Sequence, residues 1–164
     1  MICRNTQKCI EEAIADNEWC GECREETTAK NVTRQERKKR YNLLNPKRYK
    51  VTVFKIDGGI VRNEEDVLAC DYLFIVHKTK SKAAIFVELK GKDVYHAIKQ
   101  ITNSMDMFAG DFLETEKIAR IICQSVPRIA NDGAVIRAKK ELLSKHQAKI
   151  EIHERNFDDG CCSN

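Results

Sequence analysis

The sequence predicts an α/β fold: a mixed central β-sheet flanked by helices. Three observations carry that expectation. Three strand-like runs follow one another at residues 49–56, 72–76 and 84–90, and an amphipathic helix comes directly after them at 93–108. A strand, a helix and a strand then close the chain at 118–126, 134–145 and 149–153. Strands joined by tight turns pair antiparallel, whereas strands joined by a helix run parallel, so the sheet is mixed.

Each element has its own signal. Residues 6–17 carry Cys9, Ile10, Ala13 and Ile14 at helical spacing, and a second helix is expected over 33–44, started by Thr33 and stopped by Asn45-Pro46. The period then shortens. Residues 49–56 alternate as a strand and end at Asp57-Gly58-Gly59, a turn signal. Residues 72–76 and 84–90 are continuous apolar runs, the pattern of strands buried on both faces, and Lys80-Ser81-Lys82 between them reads as a hairpin turn. Over 93–108, Val94, Ala97, Ile98, Ile101, Met105 and Phe108 form one apolar stripe.

Composition sets the class. A chain of 164 residues fits one domain, and 42% hydrophobic residues suffice for an ordinary core. No apolar run approaches the roughly 20 residues of a membrane span, and the first residues lack the apolar stretch of a secretory signal, so a cytoplasmic protein is expected, with no membrane partner. The net charge of +4 is unevenly spread. Residues 24–50 hold ten Lys/Arg against three Asp/Glu, a local balance of +7. Such a block either follows a phosphate backbone or forms a solvated face.

The chemistry concentrates in two strands. Alternation puts Glu88 and Lys90 on one face of their strand and Val87 and Leu89 on the other. Charged groups embedded at the end of an apolar strand are costly unless paired or bound to metal. Asp71 opens the neighbouring strand, where cross-strand neighbours stand about 5 Å apart, so it is expected to face Glu88. Two converging carboxylates suit Mg²⁺ or Mn²⁺, and a lysine nearby can position a water or neutralise charge developing on a phosphate. The competing reading is a solvent-exposed hairpin end with Glu88 and Lys90 as a surface pair.

The pattern Asp71-x16-Glu88-Leu89-Lys90, on the second and third strands of an αβββαβ order, resembles the PD-(D/E)XK nuclease superfamily (restriction-endonuclease-like). That group includes restriction endonucleases, archaeal-type Holliday junction resolvases and phage-defence nucleases, and the likeness spans residues 49–153. It implies that Asp71 and Glu88 hold a Mg²⁺ or Mn²⁺ ion, that the Leu89 carbonyl adds a ligand and that Lys90 orients the attacking water. It also implies a role for Gln100 on the following helix, although an ordinary surface glutamine fits equally well. Relatives carry a glutamate on the first helix; Glu36 is the best match, Glu12 its rival, and Glu64 and Glu65 lie nearer in sequence.

Other signals are weaker. Trp19-Cys20-Gly21-Glu22-Cys23 resembles the thioredoxin pentapeptide but lacks the preceding strand that a redox motif needs. Cys20 and Cys23 have metal-ligand spacing, which allows a structural zinc, but no second CxxC follows. Cys70 and Cys123 read as small buried residues. The four histidines show no ligand spacing, and no phosphate-cradling glycine loop is present.

The expected organisation is a helical, basic, cysteine-containing segment over residues 1–48, packed on a nuclease-like α/β core over 49–157, with a flexible tail at 158–164. The expected function is metal-dependent endonuclease cleavage of DNA, in restriction, phage defence or repair, with RNA left open as substrate. Arg34, Arg37, Lys38, Lys39, Arg40, Lys47 and Arg48 would supply backbone contacts. A homodimer and a targeting partner protein are expected for so small a nuclease. The alternatives are a catalytically inactive binding module of the same fold and a thiol oxidoreductase using Cys20 and Cys23.

Overall fold

The computed structural model describes residues 23–61, 67–89, 92–125 and 132–161. They form nine strands and two α-helices: β1 (Arg24–Thr27), β2 (Asn31–Glu36), β3 (Lys39–Leu44), β4 (Lys50–Lys55), β5 (Tyr72–His77), β6 (Lys82–Glu88), α1 (Val94–Met107), β7 (Glu116–Cys123), α2 (Gly133–His146), β8 (Lys149–Glu154) and β9 (Asn156–Asp159). A six-stranded sheet has the order β1-β4-β5-β6-β7-β8, and a three-stranded sheet the order β2-β3-β9. β4, β5 and β6 form an antiparallel meander, while β7 runs parallel to β6 and β8 parallel to β7. This is a mixed sheet in an α/β architecture, as the periodicity predicts.

Burial on both faces explains the continuous apolar runs. In β5, Leu73 and Ile75 join the core under the helices, while Phe74 and Val76 join the core beneath the small sheet. In β6, Ala84 and Phe86 take the helix side and Ala83, Ile85 and Val87 the other. Three layers result: helices, six-stranded sheet, three-stranded sheet. The α1 stripe Val94, Ala97, Ile98, Ile101 and Met105 packs on the helix side. Asp93 caps α1 by accepting from the His96 N–H (2.9 Å), and Asp132 caps α2 by accepting from Ala134 N–H (2.8 Å). Among the described residues no helix is long and apolar enough to cross a membrane.

Three expectations are corrected. The helix expected over 33–44 is the β2–β3 hairpin, with Glu36 opposite Lys39 and Arg37-Lys38 as its turn. Residues 33–40 of the segment hold no apolar residue, so no apolar stripe runs its length. Its buried apolar residues are Val32, Tyr41 and Leu43, and the pair at 41 and 43 keeps the strand period of two. The basic segment before residue 49 is therefore strand wherever it is regular and described; the helix expected over 6–17 lies outside the described residues. Residues 158 and 159 belong to a strand and not to a tail. β9 pairs parallel with β3, and Asp159 is buried. Lastly, β1, whose Arg-Glu-Glu-Thr sequence gives no apolar signal, pairs with β4 as a charged edge strand.

One buried ionic cluster joins the two sheets. Arg120 Nε on β7 donates to Asp159 Oδ2 on β9 (2.8 Å), and Tyr41 Oη on β3 donates to the same oxygen (3.0 Å). Burial pushes the Asp159 carboxyl up, but the Arg120 hydrogen bond and charge outweigh it and hold that group below its ordinary value.

Candidate active site

The register pairs Tyr72 with Val87, which sets Asp71 opposite Glu88 at the end of the β5–β6 hairpin. The two carboxylates are cross-bonded to the strands. Asp71 N–H donates to Glu88 Oε2 (3.1 Å), and Leu89 N–H donates to Asp71 Oδ2 (2.6 Å). Glu88 is fully buried and Asp71 is 9% exposed. These are not side chains of a solvated hairpin end.

The approach to Asp71 is held at every residue. Asn103 on α1 donates to the Leu68 carbonyl, Gln100 Nε2 donates to the Ala69 carbonyl (2.9 Å), and Cys70 N–H donates to Ser104 Oγ (2.9 Å). On the other side, Ile56 N–H donates to the Asp71 carbonyl (2.9 Å) and Asp57 N–H to that of Cys70 (3.2 Å). One polar ribbon of α1 thus fixes the backbone that carries Asp71, while the apolar stripe of the same helix packs into the core. Gln100 is buried and not a surface residue. Its Oε1 has no hydrogen-bond partner among the described residues, while its Nε2 holds Ala69, two residues before Asp71.

Asp71 and Leu89 open into a cleft of about 380 Å³ that is also lined by Glu36, Arg37, Lys39, Lys55, Asp57 and Gly58. Glu36 reaches it from the end of β2, a strand rather than the expected helix. The charges of Glu36 and Asp71 add to the effect of burial in pushing the Tyr72 hydroxyl up, with Arg34 opposing. The turn after β4 supplies Lys55 and Asp57, which the sequence reading treats only as a strand end and a turn. Gly59 makes the turn possible: a Cβ there would fall 2.2 Å from the Lys55 carbonyl oxygen. Gly58 adopts φ +66°.

The basic residues divide. Arg37 and Lys39 line the acidic cleft and Lys38 stands between them in the turn, whereas Lys47 and Arg48 follow the far end of β3, about 20 Å away for six residues of extended chain. Arg34 pairs with Glu25 (2.6 Å) and Arg40 with Asp158 (3.0 Å), so both are neutralised within the protein. Lys90, Glu12 and Cys20 lie outside the described residues. Cys23 is buried in the apolar core beside Phe54. Cys70 and Cys123 are buried, as expected; burial pushes the Cys70 thiol well up, and the charges of Glu88 and Asp71 add to this, so it stays protonated.

Among the described residues no three His, Cys, Asp or Glu side chains gather as a metal site by themselves. The donors at the site are the two buried carboxylates and the backbone at Leu89. All are oxygens. Such a set fits Mg²⁺, which is commonly held by one or two carboxylates with water and substrate phosphate completing its shell, and does not fit zinc, which favours nitrogen and sulfur. No family model, curated protein or solved structure matches the chain.

Proposed function

We propose that this protein is a divalent-metal-dependent nuclease that hydrolyses phosphodiester bonds of DNA. The observation that carries the reading is the buried pair Asp71 and Glu88, cross-bonded to each other's strands, with Asp71 opening into a cleft whose rim holds Arg37, Lys39 and Lys55. Two converging carboxylates supply the oxygen ligands that a divalent cation such as Mg²⁺ or Mn²⁺ takes. The cationic rim suits a phosphate that arrives with its own negative charge.

Asp71 and Glu88 would hold Mg²⁺ or Mn²⁺, which supplies Lewis-acid polarisation of the phosphate and a more acidic water. The backbone bonds to both carboxylates fix their positions before substrate arrives, so little reorganisation is needed during reaction. Lys90, two residues after Glu88, would orient the attacking water by the likeness to the PD-(D/E)XK pattern. The water oxygen bonds to phosphorus, one phosphorus–oxygen ester bond breaks, the sugar oxygen leaves with a proton and the water gives one up. Arg37 and Lys39 would draw the phosphate to the cleft and balance charge building on its oxygens.

Incubation of purified protein with supercoiled plasmid and short branched DNA, with Mg²⁺ or Mn²⁺ and with EDTA, tests the reading. Metal-dependent cutting that disappears in Asp71→Asn and Lys90→Ala is the expected result. Absence of cutting on every substrate, with no rise in melting temperature on adding Mn²⁺, would overturn it and leave a binding module.

A further inference from the structure

Beside the acidic cleft lies a second one, of about 470 Å³, lined by Arg37, Lys38, Lys39, Gln124 and Arg155. We propose that it binds the phosphodiester backbone of the nucleic-acid strand flanking the cut, so that the strand runs from the Asp71 cleft over the β2–β3 turn to Arg155. The proposal rests on the nuclease reading for its substrate but not for its test.

Four of the five lining residues are cations, and none is a carboxylate. Arg37 and Lys39 line both clefts, so the two adjoin and a strand crossing the β2–β3 turn meets both. The cations here differ from their neighbours in sequence. Arg34 and Arg40 are paired with carboxylates, whereas Arg37, Lys38 and Lys39 form no salt bridge among the described residues. Lys39 is only 8% exposed and also makes no side-chain hydrogen bond among them. Its stem is packed away while the residue lines both clefts, so its ammonium is placed to meet a phosphate oxygen there.

The backbone holds the two arginines in place. Arg37 (φ +51°) and Arg155 (φ +56°) are both left-handed, a conformation that side-chain-bearing residues adopt at a cost, and they occupy the β2–β3 and β8–β9 turns that bound the cleft. Arg155 N–H donates to the Cys123 carbonyl (2.8 Å), and its carbonyl accepts from Arg40 N–H (2.7 Å), which ties the second turn to both β7 and β3. Glu154 Oε1 approaches Arg155 Nε at 3.6 Å; both groups are exposed, so this contact is easily exchanged for phosphate.

The test is fluorescence anisotropy with labelled duplex and single-stranded DNA in EDTA, where no cutting occurs, across a salt series. The variants are Arg37→Asn with Arg155→Asn, because asparagine accepts left-handed backbone, and the exposed Lys38→Ala as one that leaves the fold untouched. Loss of about tenfold in affinity and a salt slope reduced by about two for the double variant, by about one for Lys38→Ala and not at all for Lys140→Ala on the far helix, is the expected result. Unchanged affinity and slope in both cleft variants, or no binding by the wild type at low salt, would overturn it. Binding lost in the cleft variants of a protein that never cuts DNA would support the cleft and sink only the nuclease reading.

Discussion

Two buried clusters on the same six-stranded sheet hold carboxylates by different means. At one, Asp159 meets the Arg120 guanidinium and the Tyr41 hydroxyl, so charge answers charge and the group closes on itself between the two sheets. At the other, Asp71 and Glu88 accept hydrogen bonds from each other's strand backbone and stand as two like charges opposite one another. The first arrangement stabilises the folded chain. The second holds its carboxylates from the strand backbone and turns Asp71 toward a cleft, which is how a site for a cation or a reaction is built. The contrast shows that burial of a carboxylate does not mark function by itself; whether the group faces a cleft does.

The sharpest way to break this contrast is to remove the carboxylates one cluster at a time. Asp159→Ala removes the buried one of the two carboxylates that meet the Arg120 guanidinium, leaving the half-exposed Glu151 at 3.4 Å, and should lower the unfolding free energy by about 2–4 kcal/mol, read from urea denaturation. A loss under about 1 kcal/mol would mean that the ionic cluster does not bind the sheets together. Asp71→Asn and Glu88→Gln should do the reverse. Each amide oxygen can still accept the backbone N–H, so stability should change little. Metal-dependent cleavage should fall by about 10³-fold, roughly 4 kcal/mol of barrier. Destabilisation of both variants without any effect on cutting would make Asp71 and Glu88 purely structural.

Gln100→Ala sharpens the comparison from the scaffold side. It strips the Ala69 carbonyl of its donor and should cost about 1–3 kcal/mol. Because it acts through the backbone of Asp71, it should also raise the Mn²⁺ concentration needed for half-maximal cutting. A stability loss with unchanged metal dependence would separate Gln100 from the site. The smallest effect expected is a pH dependence. The Asp159 carboxyl lies below its ordinary value in the folded protein, so its contribution to stability is complete above about 3.8 and lost as pH falls from there through the lower folded value. Melting temperature followed between pH 5 and 2 should drop more steeply for the wild type than for Asp159→Asn.

Much of the site was legible before the fold. Asp71 and Glu88 could be set face to face because the hairpin between them is short, its apolar runs are unbroken and strand alternation leaves few registers. Gln100 was visible as a helical residue beside an apolar stripe, but its burial was not, since that depends on Ala69 lying against α1. Glu36 was chosen as a helical glutamate and reaches the same cleft from a strand. Lys55, Asp57, Gln124 and Arg155 carried no sequence signal, because each enters a cleft through a turn.

The sequence by itself determined the mixed α/β class, the β4–β5–β6 meander, α1 and the facing carboxylates. All of these follow from periodicity and short connections, where a residue's environment is set by its near neighbours. Only the tertiary structure decided that the basic block is a hairpin, that residues 156–159 form β9 and that Arg37 and Lys39 share a cleft with Asp71. Asp159 bonds to a residue 39 positions away and to another 118 away. Bonds of that span leave no local period, and a polar strand packed by a distant ion pair reads, along the chain, like a loop.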